Sequence, residues 1–130
     1  MKKILFALLV TAGFGLSQAQ KIEFETATLD YGQVALNAEG HRTFTVKNTG
    51  TKDLVLSSVQ PSCGCTATEF TKTAIAPGKT GTITVLYNTG IPGAFSKSIE
   101  VFSNDPEKQR STIFIKGIVQ NAATAAKNKN

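Results

Sequence analysis

The 130-residue sequence has no tryptophan, one histidine, one methionine and only two cysteines. With a single histidine, only one residue could act as the base of a Ser-His-Asp triad. The chain also has no Gly-x-Ser-x-Gly motif, no His-Glu-x-x-His motif and no phosphate-binding glycine loop. A paired-carboxylate site is equally hard to nominate, because the candidate acids fall on predicted exposed faces or loops: Glu23, Glu25, Glu39, Glu69 and Glu100. We therefore expect a protein that is not an enzyme.

The chain opens with a segment typical of a secretory leader. Lys2 and Lys3 precede a mostly apolar run over residues 4–16, and residues 17–19 form a small-x-small cleavage site. The run is too short for a stable membrane span. We predict a signal peptide over residues 1–19, and an exported, periplasmic or extracellular product without a membrane span.

Charge and length limit what the exported part can be. Loss of residues 1–19 removes two lysines and no acids, so the formal net charge falls from +5 to +3, with 12 basic against 9 acidic residues. No basic stripe along the sequence indicates a nucleic-acid partner.

The length of the exported part predicts its domain organisation. Residues 20–120 are enough to form one domain with its own core. Residues 121–130 are Ala, Asn, Lys and Thr without periodicity, and we predict a disordered tail.

Strand signals recur at short intervals through this domain, and no window has a sustained helical period, so the fold class is all-β. A bend or bulge is expected near Asp30 and Gly32. The segment 54–59 is apolar on both faces, which favours a strand in the middle of the fold. Seven strands at this spacing predict an immunoglobulin-like β-sandwich: 21–34, 41–47, 54–59, 66–70, 82–87, 95–101 and 112–119.

The two cysteines, Cys63 and Cys65, are separated by Gly64 and can project to one side of an extended chain. Three interpretations are open: a simple disulfide or two small buried thiols, a pair of thiolates for a soft cation such as Cu(I), or a labile redox pair. A bridge would close a loop of about three residues and contribute on the order of 1.5 kcal/mol before strain, with Gly64 permitting the bend. Export makes the disulfide the default state.

The only histidine, His41, begins a predicted strand. In a seven-strand sandwich three alternate connections gather at one end, here 33–40, 60–65 and 88–93. Cys63 and Cys65 should therefore share an end with His41. We treat the three as candidate ligands for copper or zinc, against the alternative of an exposed histidine at a strand start.

Seven short motifs follow one another along the domain: Tyr31-Gly32 after Asp30, Phe44 with Asn48-Thr49-Gly50, Ser62-Cys63-Gly64-Cys65-Thr66, Ile75-Ala76-Pro77-Gly78, Gly93 with Phe95 and Lys97, Val101 with Ser103-Asn104, and Lys116-Gly117 with Val119. In this order they resemble an exported bacterial family called domain of unknown function 1573. The resemblance implies an Ig-like sandwich similar to major sperm protein and periplasmic chaperone modules, and implies little about activity. Tyr31 stands where that family more often has Phe.

These observations favour an exported, non-enzymatic module that presents loops or a strand edge to a protein, glycan or envelope partner. Two alternatives remain open, both centred on Cys63 and Cys65. One is a soft-metal site for copper or zinc, and the other is a thiol–disulfide redox protein.

Overall fold

The computed structural model describes residues 19–121. The predicted leader and tail therefore lie outside the described residues, apart from residues 19 and 121. Within that stretch the chain forms strands and no helix, which confirms the all-β fold class. No segment there has the helical length and apolar character that a membrane crossing requires. The strands are β1 (Ile22–Phe24), β2 (Thr28–Val34), β3 (His41–Asn48), β4 (Leu56–Pro61), β5 (Thr66–Phe70), β6 (Thr80–Tyr87), β7 (Gly93–Ser103) and β8 (Arg110–Val119).

The strands form two four-stranded sheets, which confirms the immunoglobulin-like sandwich. Sheet A has the order β1-β3-β6-β5 and sheet B the order β2-β8-β7-β4. There are eight strands because the first predicted strand divides: β1 pairs antiparallel with β3 in sheet A, and β2 pairs parallel with β8 in sheet B. The expected bulge is present, since the β2–β8 register shifts between Asp30 and Gln33, and Gly32 has a φ of +69°.

The core lies between the sheets and is built by alternation along each strand. Residues of one parity face inward and those of the other face solvent. Lys97 shares the inward parity of β7 and is half-buried. The side chains at the centre of the core have almost no exposed surface: Phe44, Val46, Leu54, Ile83, Val85, Ile99, Val101, Ile113, Ile115 and Val119.

The placement of segment 54–59 in the middle of the fold was wrong. β4 is an edge strand of sheet B and, among the described strands, pairs with β7 alone. Its apolar residues do not cover two faces: a register shift between Leu56 and Ser58 changes the parity, so Leu56 and Val59 both point into the core. Leu54 precedes the strand and is buried beside Ile75, to which it is joined by an isolated bridge.

Three connections meet at one end of the sandwich, as predicted. The Asn37 N–H donates to the Thr89 carbonyl oxygen at 2.9 Å, which joins the β2–β3 and β6–β7 connections. The Asn88 N–H donates to the Cys65 carbonyl oxygen at 3.0 Å, which joins the β6–β7 and β4–β5 connections. We call this the cysteine end. The β3–β4, β5–β6 and β7–β8 connections lie at the opposite end.

Candidate functional site

The two cysteines form the corner between β4 and β5. Their sulfur atoms are 2.00 Å apart in a disulfide bond, and their Cα atoms are 5.3 Å apart. Both residues are half-buried. The corner is held from both sides, because the Ser62 N–H donates to the Ser98 carbonyl oxygen of β7 at 2.9 Å and Cys65 accepts from Asn88 beyond β6.

Gly64, between the cysteines, does not supply the conformational freedom expected of it. Positive φ angles among the glycines of residues 19–121 occur at Gly32, Gly78 and Gly93. A Cβ atom added at Gly64 would have no heavy atom within 4 Å. The bend at the corner therefore does not require glycine at this position.

His41 lies at the cysteine end, as predicted, but the structure does not bring it to the cysteines. Leu86 of β6 pairs with His41 on one side and with Ala67 of β5 on the other, so a whole strand separates the histidine from the strand that follows Cys65. The His41 imidazole Nδ1 contacts the Glu39 carboxylate. The side-chain hydrogen bond from His41, followed by its backbone N–H, lowers the pKa of Glu39.

The metal site through Cys63, Cys65 and His41 stays a prediction. Within residues 19–121 no group of three or more His, Cys, Asp or Glu side chains is arranged to hold a metal ion. Sulfur atoms in a disulfide are not thiolates, the form that binds soft metals, so any such binding would first require reduction of the bond.

A groove crosses the outer face of sheet A at the cysteine end. Its main hollow, of about 390 Å³, runs between the β2–β3 connection and the cysteine corner. A second hollow of about 200 Å³ continues from it toward Thr84 and Glu69. Both are lined by Ala67 and Leu86, which therefore form a shared apolar floor.

Leu86 is out of place on an otherwise polar sheet face. The neighbouring outward residues of β3 and β6 are polar: His41, which pairs with Leu86, and threonines that include Thr43 and Thr84, whose hydroxyl oxygens are 3.3 Å apart. Leu86 is 39% exposed, and it is the one exposed large apolar side chain of sheet A among the described residues. Sequence reasoning did not select Leu86 as a functional residue. The sequence did contain the signal, because Leu86 shares the parity of Thr82 and Thr84 and therefore lies on the same outward face of β6.

An aromatic cluster supports the groove from beneath. The Tyr87 and Phe95 rings stack with centroids 3.9 Å apart, and Tyr31 meets them edge-on at 6.3 Å and 5.3 Å. The Arg42 guanidinium lies 4.2 Å from the centroid of the Tyr31 ring. This cluster joins three strands, β2, β6 and β7, and so fixes the position of the groove floor relative to the loops around it.

Comparison with known proteins identifies relatives at the level of family and fold. A family model described as "Protein of unknown function (DUF1573)" matches residues 22–119. No curated protein matches the chain. A solved protein of unknown function from Porphyromonas gingivalis W83 is 21% identical, with a TM-score of 0.68, over 85% of this chain and 51% of that one. The chain thus spans about half the length of that structure.

Two further structures share the fold. The PapD-like domain 7 of human CEP192 is 11% identical, with a TM-score of 0.62, over 84% of this chain and 92% of that one. The periplasmic chaperone SfaE is 10% identical, with a TM-score of 0.53, over 78% of this chain and 57% of that one. At these identities the likeness supports the β-sandwich fold and assigns no partner.

Proposed function

We propose that this chain, which belongs to the family described as protein of unknown function (DUF1573), is an exported, non-enzymatic module that binds a protein partner at its cysteine end. The observation that carries the proposal is the groove floored by Leu86 and Ala67. An apolar side chain left exposed within a ring of polar residues is the arrangement expected at the centre of a protein-binding patch.

The walls of the groove suit binding because they are fixed before a partner arrives. The β2–β3 and β6–β7 connections are joined by the bond from Asn37 to Thr89, and the Thr89 hydroxyl donates to the Ala38 carbonyl oxygen. The bridge between Cys63 and Cys65 restrains the third wall. A preorganised site loses less conformational entropy on binding than a mobile one, so a small interface suffices.

The fold and the predicted leader support an exported interaction role. SfaE is a periplasmic chaperone, and its domain shares this sandwich. Residues 1–19 have the layout of a secretory signal peptide. From these two observations we infer export and a protein partner.

The proposal is tested by site-specific photo-crosslinking in cells that export the protein. A photoreactive amino acid at Ala67, in the groove, is expected to give a discrete covalent adduct with one protein. The same amino acid at Thr112, which is exposed on β8 of the other sheet, should give none.

A matched pair of substitutions distinguishes binding at the groove from non-specific binding through any exposed apolar residue. Leu86→Asp should abolish the adduct, whereas Ile118→Asp, which alters an equally exposed apolar residue of sheet B, should leave it unchanged. Both side chains are exposed, so both variants are expected to fold, which circular dichroism verifies. An adduct that survives Leu86→Asp, or that Ile118→Asp removes equally, contradicts the proposal.

A second candidate function is thiol–disulfide exchange. Its support is the position of Cys63 and Cys65, half-buried on a loop and bridged across a single residue, because such short bridges are readily reduced. Thiol titration of the exported protein against a series of glutathione buffers tests it, and Cys63→Ser and Cys65→Ser are the controls. Metal analysis of the reduced protein tests the copper or zinc alternative in the same samples.

A further inference from the structure

The two sheets have four edge strands, and the edges of β1 and β2 are protected against the addition of a further strand. β1 is three residues long, and its Ile22 N–H donates to the Asp105 carboxylate at 2.9 Å. β2 is interrupted by the bulge between Asp30 and Gln33. Short length, bonds from edge N–H groups to side chains, and bulges all hinder the pairing of an edge strand with another chain.

The edge of β4 is protected as well. Ser62, directly after the strand, donates its N–H to the Ser98 carbonyl oxygen of β7 at 2.9 Å. Because backbone groups alternate in direction along an antiparallel strand, those of Val59 and Pro61 face away from β7. Pro61 has no N–H to donate, and the Val59 carbonyl oxygen already accepts the Thr68 hydroxyl at 3.2 Å. An added strand would meet no regular row of donors and acceptors on β4.

The remaining edge strand, β5, presents free backbone groups. It pairs with β6 over all five residues without a register shift and contains no proline. The Cys65 carbonyl oxygen accepts the N–H of the residue after β6, and the Thr71 N–H donates to a carbonyl oxygen of β6, both at 3.0 Å. The odd-numbered residues between them therefore bond toward β6. The N–H and C=O groups of Thr68 and Phe70 point away from β6, without a backbone partner among residues 19–121.

The free edge of β5 borders the smaller hollow of the groove. Ala67, Thr68 and Glu69 all line this hollow. Ala67 and Glu69 are exposed on the outer face of sheet A, where Ala67 pairs with Leu86. Because Ala67 is small, a long side chain opposite it can lie across it and reach Leu86. The edge therefore offers backbone bonds and the apolar floor of the groove to the same partner.

Glu69 gives this edge a negative charge that no ion pair offsets within the described part of the chain. Two basic side chains lie nearby, and both have other contacts. His41 lines the same hollow, but its imidazole contacts the Glu39 carboxylate. The Lys72 ammonium lies 4.8 Å from the centroid of the Phe70 ring. A basic side chain of a partner is therefore favoured opposite Glu69.

We propose that the partner of the groove binds as a β-strand added antiparallel to β5. The inference rests on the proposed function, because it states how the partner binds at the cysteine end. Backbone hydrogen bonds to Thr68 and Phe70 set the register, and side chains set the specificity. Every pair in sheet A is antiparallel, and side chains on one face are two residues apart. The partner segment therefore carries, in chain order, a lysine or arginine opposite Glu69, any residue, and a large apolar residue opposite Ala67.

A synthetic peptide tests this mode of binding. The probe alternates threonine with the two recognition residues, in the order Thr-Lys-Thr-Leu-Thr, and has blocked ends. In NMR spectra of the exported protein it should slow hydrogen exchange of the Thr68 and Phe70 amides and leave that of Phe24, at the β1 edge, unchanged. The same residues in the order Thr-Leu-Thr-Lys-Thr should bind more weakly by about fivefold or more. Unprotected edge amides, no binding of the probe, or equal affinity for the two peptides would each overturn the inference.

A pair of substitutions at Thr68 distinguishes strand addition from binding in the groove alone. Thr68→Pro removes the edge N–H and Thr68→Val keeps it, while both remove the hydroxyl bond to Val59. Proline is tolerated where the N–H faces away from the paired strand, so both variants should fold, which circular dichroism verifies. In the photo-crosslinking assay Thr68→Pro should lower the yield of the Ala67 adduct by about tenfold, and Thr68→Val should leave it unchanged.

The outcomes separate this inference from the proposed function. An adduct that requires Leu86 but survives Thr68→Pro keeps the groove as the binding site and excludes strand addition, as does an equal loss in Thr68→Val. The absence of any adduct from Ala67 contradicts the proposed function itself. Exchange protection by the peptide, measured on the unsubstituted protein, then decides for or against strand addition at β5.

Discussion

The hydroxyl group of Tyr31 donates a hydrogen bond to the carbonyl oxygen of Gly40 at 2.6 Å. The same oxygen accepts the Tyr87 N–H at 3.1 Å. One carbonyl group therefore connects β2, the entry to β3 and the end of β6, directly beside the Leu86 groove. The bond depends on a hydroxyl that a phenylalanine at this position would lack.

Tyr31→Phe should lower the free energy of unfolding by about 1 kcal/mol, because it removes one buried hydrogen bond and keeps the ring. Urea denaturation at neutral pH measures the change. Tyr87→Phe is the matched control, since no described residue bonds the Tyr87 hydroxyl, and it should have an effect near zero. Equal losses in the two variants would mean that the bond to Gly40 does not stabilise the fold.

Burial raises the pKa of the Tyr31 hydroxyl, an effect that the nearby Arg42 charge partly reduces. As the pH rises, the unfolded chain releases this proton near pH 10, before the folded chain does. The contribution of Tyr31 to the free energy of unfolding is therefore fully present below about pH 10, and it is lost as the pH rises through the raised pKa of the folded state. The free energy of unfolding should fall in this alkaline range. The fall should be shallower in Tyr31→Phe, although not absent, because burial raises the pKa of Tyr87 as well. An identical decline in both proteins would exclude Tyr31 as its source.

Asp105 is only 2% exposed, and its carboxylate accepts three backbone N–H groups: Ile22 at 2.9 Å, Glu107 at 2.8 Å and Lys108 at 3.1 Å. Burial acts to raise its pKa, but these hydrogen bonds together lower it below the usual range. The stabilisation by the ionised Asp105 carboxylate is therefore present above about pH 4, and it is lost as the pH falls through the lowered pKa of this group in the folded state.

Asp105→Ala should lower the free energy of unfolding by on the order of 3 kcal/mol at neutral pH, because it leaves the buried Ile22 N–H and the Glu107 N–H without their acceptor. The difference from the unsubstituted protein should shrink as the pH is lowered toward about 3. Thermal unfolding across this range measures both effects. A difference that does not change with pH would show that the ionised carboxylate is not what stabilises the β7–β8 connection.

The alternation of apolar and polar residues along the sequence was sufficient to predict most strands of the fold. Ile83 and Val85 point inward in the structure as their spacing required, and Gly78 takes the positive φ that the Pro77-Gly78 turn needs. The cysteine end was predictable as well, since it follows from the number and order of strands. These features depend on residues close together in sequence or on simple topology.

The features that sequence could not supply depend on distant contacts. The parallel pairing of β2 with β8 joins residues at opposite ends of the domain, so one predicted strand became two in different sheets. The bulge at Leu56 and Ser58 reversed the parity of β4, and no residue pattern marked it. The separation of His41 from the cysteines by β6 likewise depends on the order of strands within sheet A.

Cys63→Ser with Cys65→Ser should leave the fold intact and lower the free energy of unfolding by no more than about 1.5 kcal/mol, because the bridge closes a very short loop. Reduction of the unsubstituted protein should produce the same shift, which thermal unfolding with and without reductant measures. A much larger loss, or loss of folding, would show that the corner organises the sandwich itself. A reductant effect that persists in the double variant would have another cause.

Two glycines beside the groove should respond in opposite ways to the same substitution. A Cβ atom at Gly40 would lie 2.2 Å from the Tyr87 carbonyl oxygen, a backbone atom that cannot rotate away. Gly40→Ala should therefore force β3 and β6 apart and cost about 1 to 3 kcal/mol.

Gly64→Ala is the matched control, because its Cβ atom would meet no neighbour and its φ is not positive. It should be neutral or raise the free energy of unfolding by up to about 1 kcal/mol, since alanine restricts the unfolded chain. Urea denaturation of both variants checks the pair. A large loss in Gly64→Ala would mean that the cysteine corner needs glycine after all, and an unchanged Gly40→Ala would mean that the approach of β3 to Tyr87 is not tight.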